Sequence, residues 1–151
     1  VIDADLFHEE IILEVLDKDV VLTPHPKEFC ALLKLCGLED ISVTQLQENR
    51  FKYLKAFASK YPKVVILLKG ANVLIAKNEK LYINTHGNAV LAKGGSGDVL
   101  SGLIASLLAQ GYSSIDATIN ASLAHSIAAI NYSKNSYSLT PCDLIEEIKK
   151  I

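Results

Sequence analysis

The first part of the chain alternates between short apolar runs and a segment with more widely spaced apolar positions. Residues 1–4 and 20–23 are runs rich in β-branched side chains, which is typical of strands. Between them, apolar residues recur at helical spacing, at Leu6, Ile11, Ile12, Val15 and Leu16. The pattern therefore predicts a strand, a helix and a second strand.

The same alternation continues along the chain. Residues 64–68 form a continuous apolar run, as expected of a strand that is covered on both faces, and a turn at 78–80 separates two shorter strands of a hairpin, 73–76 and 81–84. Helical periodicity predicts helices at 27–35, 43–59, 99–109, 115–131 and 144–151, the last one capped by Asp143. Because strands alternate with helices, we predict one layered α/β domain over residues 1–151 with a mainly parallel sheet.

Composition narrows the function classes. The 151 residues are 50% hydrophobic and 21% charged, which is typical of a globular domain, and the formal charge of -2 provides no field that would attract nucleic acid or an anionic membrane. The longest apolar runs fall far short of the roughly 20 residues that cross a bilayer, so we expect a cytoplasmic protein. Three cysteines without CxxC spacing predict thiols rather than a disulfide framework or a zinc site.

The beginning of the sequence suggests a partial chain. It contains no Met and opens directly on the strand-like residues 1–4. We therefore expect that translation begins upstream of Val1.

The segment 93–98, Lys-Gly-Gly-Ser-Gly-Asp, directly precedes an apolar helix. Glycines let the backbone approach a ligand closely, and the first N–H groups of a helix lack intrahelical partners, so the segment predicts an anion hole for a phosphoryl group. Asp98 would then act on the phosphoryl acceptor as a general base. The alternative is a plain turn with Asp98 as a helix cap. The P-loop and dinucleotide-binding fingerprints are both incomplete in the sequence.

Two ordered motifs resemble those of a known superfamily. Residues 94–102, GGSGDVLSG, resemble the GxGD segment of ribokinase-like kinases, and residues 23–28, TPHPKE, resemble their TPNxxE segment. Within the superfamily, the histidine of TPHxxE, the Lys-Gly-Ala turn at 69–71, the Gly-Asn pair at 87–88 and the VIDAD strand at 1–5 resemble the ADP-dependent NAD(P)H-hydrate dehydratase family. The resemblance implies the C-terminal portion of a ribokinase-like α/β/α domain.

The family resemblance also implies roles for individual residues. Asp98 would contact the substrate hydroxyl as the base, His25 would contact the hydrated nicotinamide nucleotide, and Glu28 would help to organise Mg²⁺ through water. The nucleotide would be bound by Lys69, Gly70, Ala71, Asn72, Val73, Gly94, Gly95, Ser96 and Gly97. Without the resemblance, Lys69 could equally be a solvated charge at a strand end, and His25 a turn residue between two prolines.

Some positions depart from the family pattern. Lys93 stands where a small or hydroxyl residue is expected, and could bind phosphate or face solvent; Ala89-Val90 replaces a Pro-Gly pair. His86 and His125 carry no motif, so we expect both to be packed or surface histidines. The family domain is nearly twice as long as this chain, and the half that is absent would carry further substrate contacts.

The resemblance implies an activity with two alternatives. Hydrated NADH or NADPH would be phosphorylated on its ring hydroxyl by ADP or ATP with Mg²⁺, and phosphate would then leave, giving AMP when ADP is the donor. A related kinase of a hydroxymethyl- or hydroxyethyl-heterocycle would use the same anion hole and base. A non-catalytic nucleotide-binding half-domain is the third possibility. The family also implies a homo-oligomer, commonly a tetramer, and a requirement for the missing N-terminal half.

Overall fold

The computed structural model describes residues 1–151, apart from the side chain of Ser136. Four strands are present: β1 (Val21–Leu22), β2 (Val65–Leu68), β3 (Val73–Lys77) and β4 (Lys80–Asn84). Six α-helices accompany them: α1 (Pro26–Leu35), α2 (Val43–Glu48), α3 (Arg50–Lys60), α4 (Ser96–Ala109), α5 (Ser114–Asn131) and α6 (Pro141–Ile148). Short 3-10 helices occupy Ala4–His8, Glu10–Val15, Ala89–Leu91 and Ser136–Ser138.

The four strands form one sheet in the order β1-β2-β3-β4. β1 and β2 are parallel, whereas β3 pairs antiparallel with both β2 and β4. Ile2 adds an isolated parallel bridge to Leu22. The layered α/β class is therefore confirmed, but the sheet of this chain is mixed rather than mainly parallel, because the β3–β4 hairpin contributes two antiparallel pairs.

Alternate side chains of the sheet enter two different cores. Leu22, Ile66 and Leu68 pack with α1, α2 and α3 on one face. Val65 and Leu67 point to the other face and pack with α4 and α5. Successive side chains of a strand point to opposite faces, so the continuous apolar run of β2 is buried on both sides. This arrangement gives the α/β/α layers that the pattern predicted.

Four predicted elements differ in the structure. The first strand is reduced to the bridge at Ile2, and the predicted first helix is two 3-10 turns that bury Phe7 and Ile12. The predicted helix 43–59 divides into α2 and α3, because Asn49 leaves helical geometry with φ -135° and ψ 34°. The last helix begins at Pro141, with Thr140 as its N-cap and Asp143 completing the capping box.

A buried amide joins β4 to α5. Asn84 Nδ2 donates to the carbonyl and hydroxyl oxygens of Ser122, at 3.0 and 2.9 Å, and to the Ser126 hydroxyl at 3.0 Å. Its Oδ1 accepts from the backbone N–H of His86 at 3.0 Å. All the hydrogen-bonding groups of this buried side chain are thus engaged, which holds the segment after β4 in place.

Other sequence expectations concern membranes and thiols. Within the described residues, no helix is both long enough and apolar enough to span a membrane. Cys30, Cys36 and Cys142 are free, and Cys142 is exposed rather than buried.

Gly87 is where the backbone after β4 approaches the turn after β2 most closely. A Cβ added at Gly87 would lie 1.6 Å from the Ala71 carbonyl oxygen, whereas one added at Gly102, exposed in α4, would meet nothing within 4 Å. We expect Gly87→Ala to lower the free energy of unfolding by about 3 kcal/mol. Gly102→Ala should raise it by about 1 kcal/mol, through helix propensity. Urea denaturation of both variants tests this difference, and equal stabilities would contradict it.

Candidate functional site

A cavity of about 490 Å³ opens at the edge of the sheet where β1 and β2 end and α4 begins. Parallel strands end at the same edge, and ligands of α/β proteins commonly bind there. The turn after β1 contributes His25, the turn after β2 contributes Lys69, Gly70 and Ala71, and α4 contributes Gly97. The remaining wall is formed by Pro26, Val73, Gly87, Asn88, Ala89, Leu91, Ala92, Ser96, Leu100, Ser122, His125 and Ser126.

The cation of the cavity is held by Asp3. Lys69 Nζ lies 2.7 Å from Asp3 Oδ1, and the Ser101 hydroxyl of α4 donates to Asp3 Oδ2 at 2.9 Å. Burial alone would raise the pKa of Asp3, but the hydrogen bond and charge of Lys69 and the hydrogen bond from Ser101 lower it overall. The side chains of Asp3 and Lys69 are only 16% and 24% exposed, so Lys69 is a positioned cation rather than a solvated strand-end charge.

A second cation supports the turn after β2 from outside the cavity. Arg50 Nη2 donates to the carbonyl oxygens of Leu68 and Lys69 at 3.4 and 3.3 Å. A Cβ at Gly70 would lie 2.8 Å from the same nitrogen, so the guanidinium group packs directly against this glycine. Arg50 therefore defines the backbone path of the turn that carries Lys69.

The start of α4 has the geometry of an anion-binding helix terminus. Gly95 is the N-cap, with φ +84°, and a Cβ there would lie 2.5 Å from Pro141 Cγ. Ser96 and Gly97 line the cavity, and a Cβ at Gly97 would be 3.3 Å from Lys69 Nζ. The unpaired N–H groups and the positive end of the helix dipole thus lie beside a lysine, and both favour a phosphoryl group.

Asp98 lies on the other side of this helix terminus. It is exposed, and it lines a second hollow of about 490 Å³ with Gly95, Val99 and Gly102. The rest of that hollow is apolar and is formed by Leu103, Pro141, Ile145 and Ile148. The first turn of α4 therefore separates the cavity that contains Lys69 from a more open hollow that contains the predicted base.

His25 and Glu28 are bonded to each other at the start of α1. His25 Nδ1 accepts from the Glu28 N–H at 3.1 Å, and Glu28 Oε2 accepts from the His25 N–H at 2.7 Å. His25 Nε2 also lies 3.2 Å from Glu28 Oε1, within ion-pair distance of the carboxylate. Both ring nitrogens thus lie against Glu28, while 46% of the side chain is exposed and the residue lines the cavity.

Some candidate residues do not form the wall of the cavity that contains Lys69. Asn72 and Gly94 are exposed and lie outside it, and His86 is also exposed. Lys93 donates from Nζ to the carbonyl oxygens of Tyr137 and Leu139, so it ties the glycine-rich segment to the chain before α6. These contacts give Lys93 a structural role that the two alternatives for it did not include.

The cavity also contains a residue that was expected only to be packed or exposed. His125 of α5 is buried, with 7% of its surface exposed, yet it lines the cavity and contacts Ser96. Burial, assisted by the charge of Lys69, lowers its pKa below the ordinary value. No sequence motif includes His125. Its place in the site follows only from its contact with Ser96, which lies 29 positions earlier in the chain.

The donor set has limited capacity for a metal ion. Within the described residues, no group of three or more His, Cys, Asp or Glu side chains could hold one. The Glu28 carboxylate is engaged by His25 through both oxygens, which suits contact with an ion through water. These residues fit Mg²⁺ that arrives with nucleotide phosphates and keeps much of its own water shell.

The fold is that of ribokinase-like proteins. A ribokinase-like superfamily protein of Enterococcus faecalis superposes over 99% of this chain and 50% of its own, with a TM-score of 0.81 and 25% identity. The family model Carb_kinase, described as NAD(P)H-hydrate dehydratase, matches residues 1–150. The chain therefore belongs to the NAD(P)H-hydrate dehydratase family, as the sequence motifs predicted.

Two relatives illustrate the relationship. The bifunctional NAD(P)H-hydrate repair enzyme Nnr of Helicobacter pylori is 54% identical over 151 residues, which are 100% of this chain and 32% of that protein. The ADP/ATP-dependent NAD(P)H-hydrate dehydratase of Bacillus subtilis, co-crystallised with ATP and Mg²⁺, superposes with a TM-score of 0.77 and 32% identity over 86% of this chain and 46% of its own. The chain thus spans about a third to a half of the lengths of these relatives.

The ion pair between Asp3 and Lys69 makes a prediction about acid stability. Asp3→Asn should lower the free energy of unfolding by about 1–3 kcal/mol at neutral pH, because it leaves Lys69 partly buried without its counter-charge. Since folding lowers the pKa of Asp3, the contribution of the carboxylate is present above its unfolded pKa of roughly 4 and is lost as the pH falls through the folded value.

Urea denaturation between pH 3 and pH 7 measures both effects. The gap between wild type and Asp3→Asn should narrow on acidification. In the double variant with Lys69→Met, the loss should be smaller than the sum of the two single losses. A gap that is independent of pH would contradict the assignment.

Proposed function

We propose that this protein dehydrates hydrated NADH or NADPH, using ADP as the phosphoryl donor. The observation that carries the proposal is the first turn of α4, with Lys69 in the cavity on one side and the Asp98 carboxylate in an open hollow on the other. Phosphoryl transfer needs a donor and an acceptor on opposite sides of the transferred group. Family membership supports the choice of substrate.

In the proposed reaction, the nucleotide occupies the cavity and its terminal phosphate meets the N-terminus of α4. Lys69 and the backbone N–H groups near Gly97 stabilise charge on the transferred group. Asp98 takes the proton of the ring hydroxyl as that oxygen bonds to phosphorus, and the bond to the bridging oxygen breaks, releasing AMP. The ring nitrogen electron pair then expels phosphate, and loss of a ring proton restores the C=C bond of NADH or NADPH.

His25 and Glu28 would serve the substrate side. The His25 ring can stack on the nicotinamide nucleotide, because the hydrogen bond from the Glu28 N–H to Nδ1 fixes its position and 46% of the side chain is exposed. Glu28 would contact Mg²⁺ through water, and Mg²⁺, when bound, neutralises charge on the phosphates. Gly70, Ala71 and Val73 would contact the AMP part of the nucleotide.

Asn72 and the glycine-rich residues Gly94 and Gly95 are retained as nucleotide-binding candidates. Asn72 and Gly95 adjoin wall residues of the cavity in the chain, Gly94 precedes Gly95, and Asn72 and Gly94 are exposed to a ligand that extends beyond the cavity. Ser96 lies at the wall itself and would contact the phosphates.

A specific observation favours a second reading, a nucleotide-binding half-domain without activity of its own. Asp98 is exposed in a hollow that the described residues leave open, and the chain spans only 46% of the Bacillus subtilis structure. In that reading, ADP binds tightly but dehydration requires the additional sequence that longer relatives have.

The location and assembly of the protein are also part of the proposal. We propose a cytoplasmic homo-oligomer, with a tetramer as the expected size. Exposed apolar side chains on α5 and on the edge strand β4, including Ile83 and Ile130, support a surface that another subunit covers. Sedimentation velocity tests the assembly, and a monomer at micromolar concentration would contradict it.

The activity can be tested with hydrated NADH, Mg²⁺ and either ADP or ATP, with NADH absorbance and free phosphate recorded together. Recovery of both signals in equal amounts supports dehydration and identifies the donor. A stable phosphorylated alcohol without free phosphate would indicate a small-molecule kinase instead. Binding of ADP without turnover, with activity recovered only on adding the missing half of the family domain, would indicate the half-domain.

Asp98→Asn should lower turnover about 10²- to 10⁴-fold, because the variant cannot accept the hydroxyl proton. Its affinity for ADP should stay close to that of the wild type, since Asp98 lies outside the nucleotide cavity. Asp17→Asn, at an exposed position, is the matched control and should leave both quantities unchanged. Stopped assays with calorimetric ADP titration measure both, and undiminished turnover in Asp98→Asn would disprove the assignment of the base.

A further inference from the structure

His125 joins α5 to the start of α4 from within the cavity wall. Its Nε2 lies 3.0 Å from the Ser96 carbonyl oxygen and 3.2 Å from the Ser96 hydroxyl. A carbonyl oxygen can only accept, so Nε2 carries the proton and donates to it. Ser96 is the first residue of α4, and the imidazole therefore restrains the backbone at the proposed phosphate site.

The other ring nitrogen is then left as an acceptor. In the neutral imidazole, protonation of Nε2 leaves the lone pair on Nδ1. Among the described residues, Arg50 Nε is the one fully buried side-chain nitrogen or oxygen without a hydrogen-bond partner. Nδ1 of His125 therefore either has a hydrogen-bond partner or is not fully buried. No described residue donates to Nδ1, and His125 lines the cavity. Nδ1 is therefore accessible to a ligand from the cavity side.

The surroundings of His125 favour a neutral ring and a neutral ligand group. Lys69 is the charged residue of the cavity whose field acts on it, and this field opposes a second positive charge. The hydroxyl oxygens of Ser122 and Ser126 accept from Asn84 Nδ2, and among the described residues neither hydroxyl forms a hydrogen bond to Nδ1. A donor on the ligand is the partner that this arrangement lacks.

We propose that His125 is a nucleotide-binding residue that also positions the start of α4: Nε2 donates to the Ser96 carbonyl, and Nδ1 accepts from a nucleoside donor, the adenine amino group or a ribose hydroxyl. The inference rests on the proposed function, because it requires an adenine nucleotide in the cavity. It assigns a specific polar contact to a residue outside every sequence motif.

Two substitutions separate the two contacts. In His125→Gln the side-chain amide can reach the position of Nε2 and retain the bond to Ser96, but the acceptor at Nδ1 is lost. In His125→Asn the amide oxygen can replace Nδ1, but the side chain no longer reaches Ser96. Asn120→Ala, at an exposed position of the same helix, is the control for general effects on α5.

Calorimetric titration of the full chain with ADP, IDP, 2′-deoxy-ADP and 3′-deoxy-ADP tests the nucleoside contact. His125→Gln should weaken ADP binding about 3- to 10-fold while melting near the wild-type temperature. The analogue that lacks the relevant donor should bind the wild type correspondingly more weakly, and should show no further loss in His125→Gln. This absence of a further loss identifies the amino group or the hydroxyl.

His125→Asn should give the opposite result, with a lower melting temperature and ADP affinity closer to that of the wild type. Unchanged ADP affinity in His125→Gln would overturn the ligand contact, and unchanged melting of His125→Asn would overturn the bond to Ser96. The ligand contact would also be overturned if the loss of affinity caused by His125→Gln and the loss caused by the analogue added together for every analogue. If wild type binds no adenine nucleotide, the proposed function fails as well, whereas binding by wild type with equal binding by His125→Gln rejects only the inference.

Discussion

The candidate site depends on one partly buried ion pair. Asp3 follows the isolated bridge at Ile2, Lys69 follows β2, and Ser101 belongs to α4, so the carboxylate joins three separate parts of the fold. Removing two charges from water is costly unless their remaining hydrogen-bonding capacity is used. The hydroxyl of Ser101 meets that need for Asp3. As a result, the lysine and the helix terminus are held in a fixed relation before any ligand binds.

The fixed relation between Lys69 and the start of α4 affects what the cavity and the hollow beside this helix can bind. Preorganised charges contribute most when no reorganisation is needed during the reaction. Arg50 holds the turn of Lys69 from behind, and His125 holds Ser96 from the side, so Lys69 and the start of α4 have several independent supports. Asp98 has no comparable enclosure, since its hollow is open and mostly apolar. The Lys69 side of the site is therefore more complete in this chain than the Asp98 side.

The outline of the fold could be read from local patterns, whereas much of the site could not. The hairpin, α4 and α5 follow from periodicity, and the glycine-rich segment follows from its composition. The division of helix 43–59 depends on the backbone of Asn49, which periodicity does not report. The partners of Asp3 lie 66 and 98 positions away, so no local pattern indicates them. The contact of His125 with the Ser96 carbonyl oxygen is not indicated by any local pattern either, because the two residues lie 29 positions apart on different helices.

The β3–β4 hairpin has two ends in different environments. Its open end, where Val73 pairs with Asn84, adjoins the cavity and is fastened to α5. Its closed end is the exposed turn at Asn78, which has a positive φ of 53° and lies at the opposite edge of the sheet. Exposed turns of this kind accept inserted residues with little disturbance of the fold. The Asn78 turn is thus a suitable attachment point for a fluorophore or an affinity tag that must not obstruct the ligand.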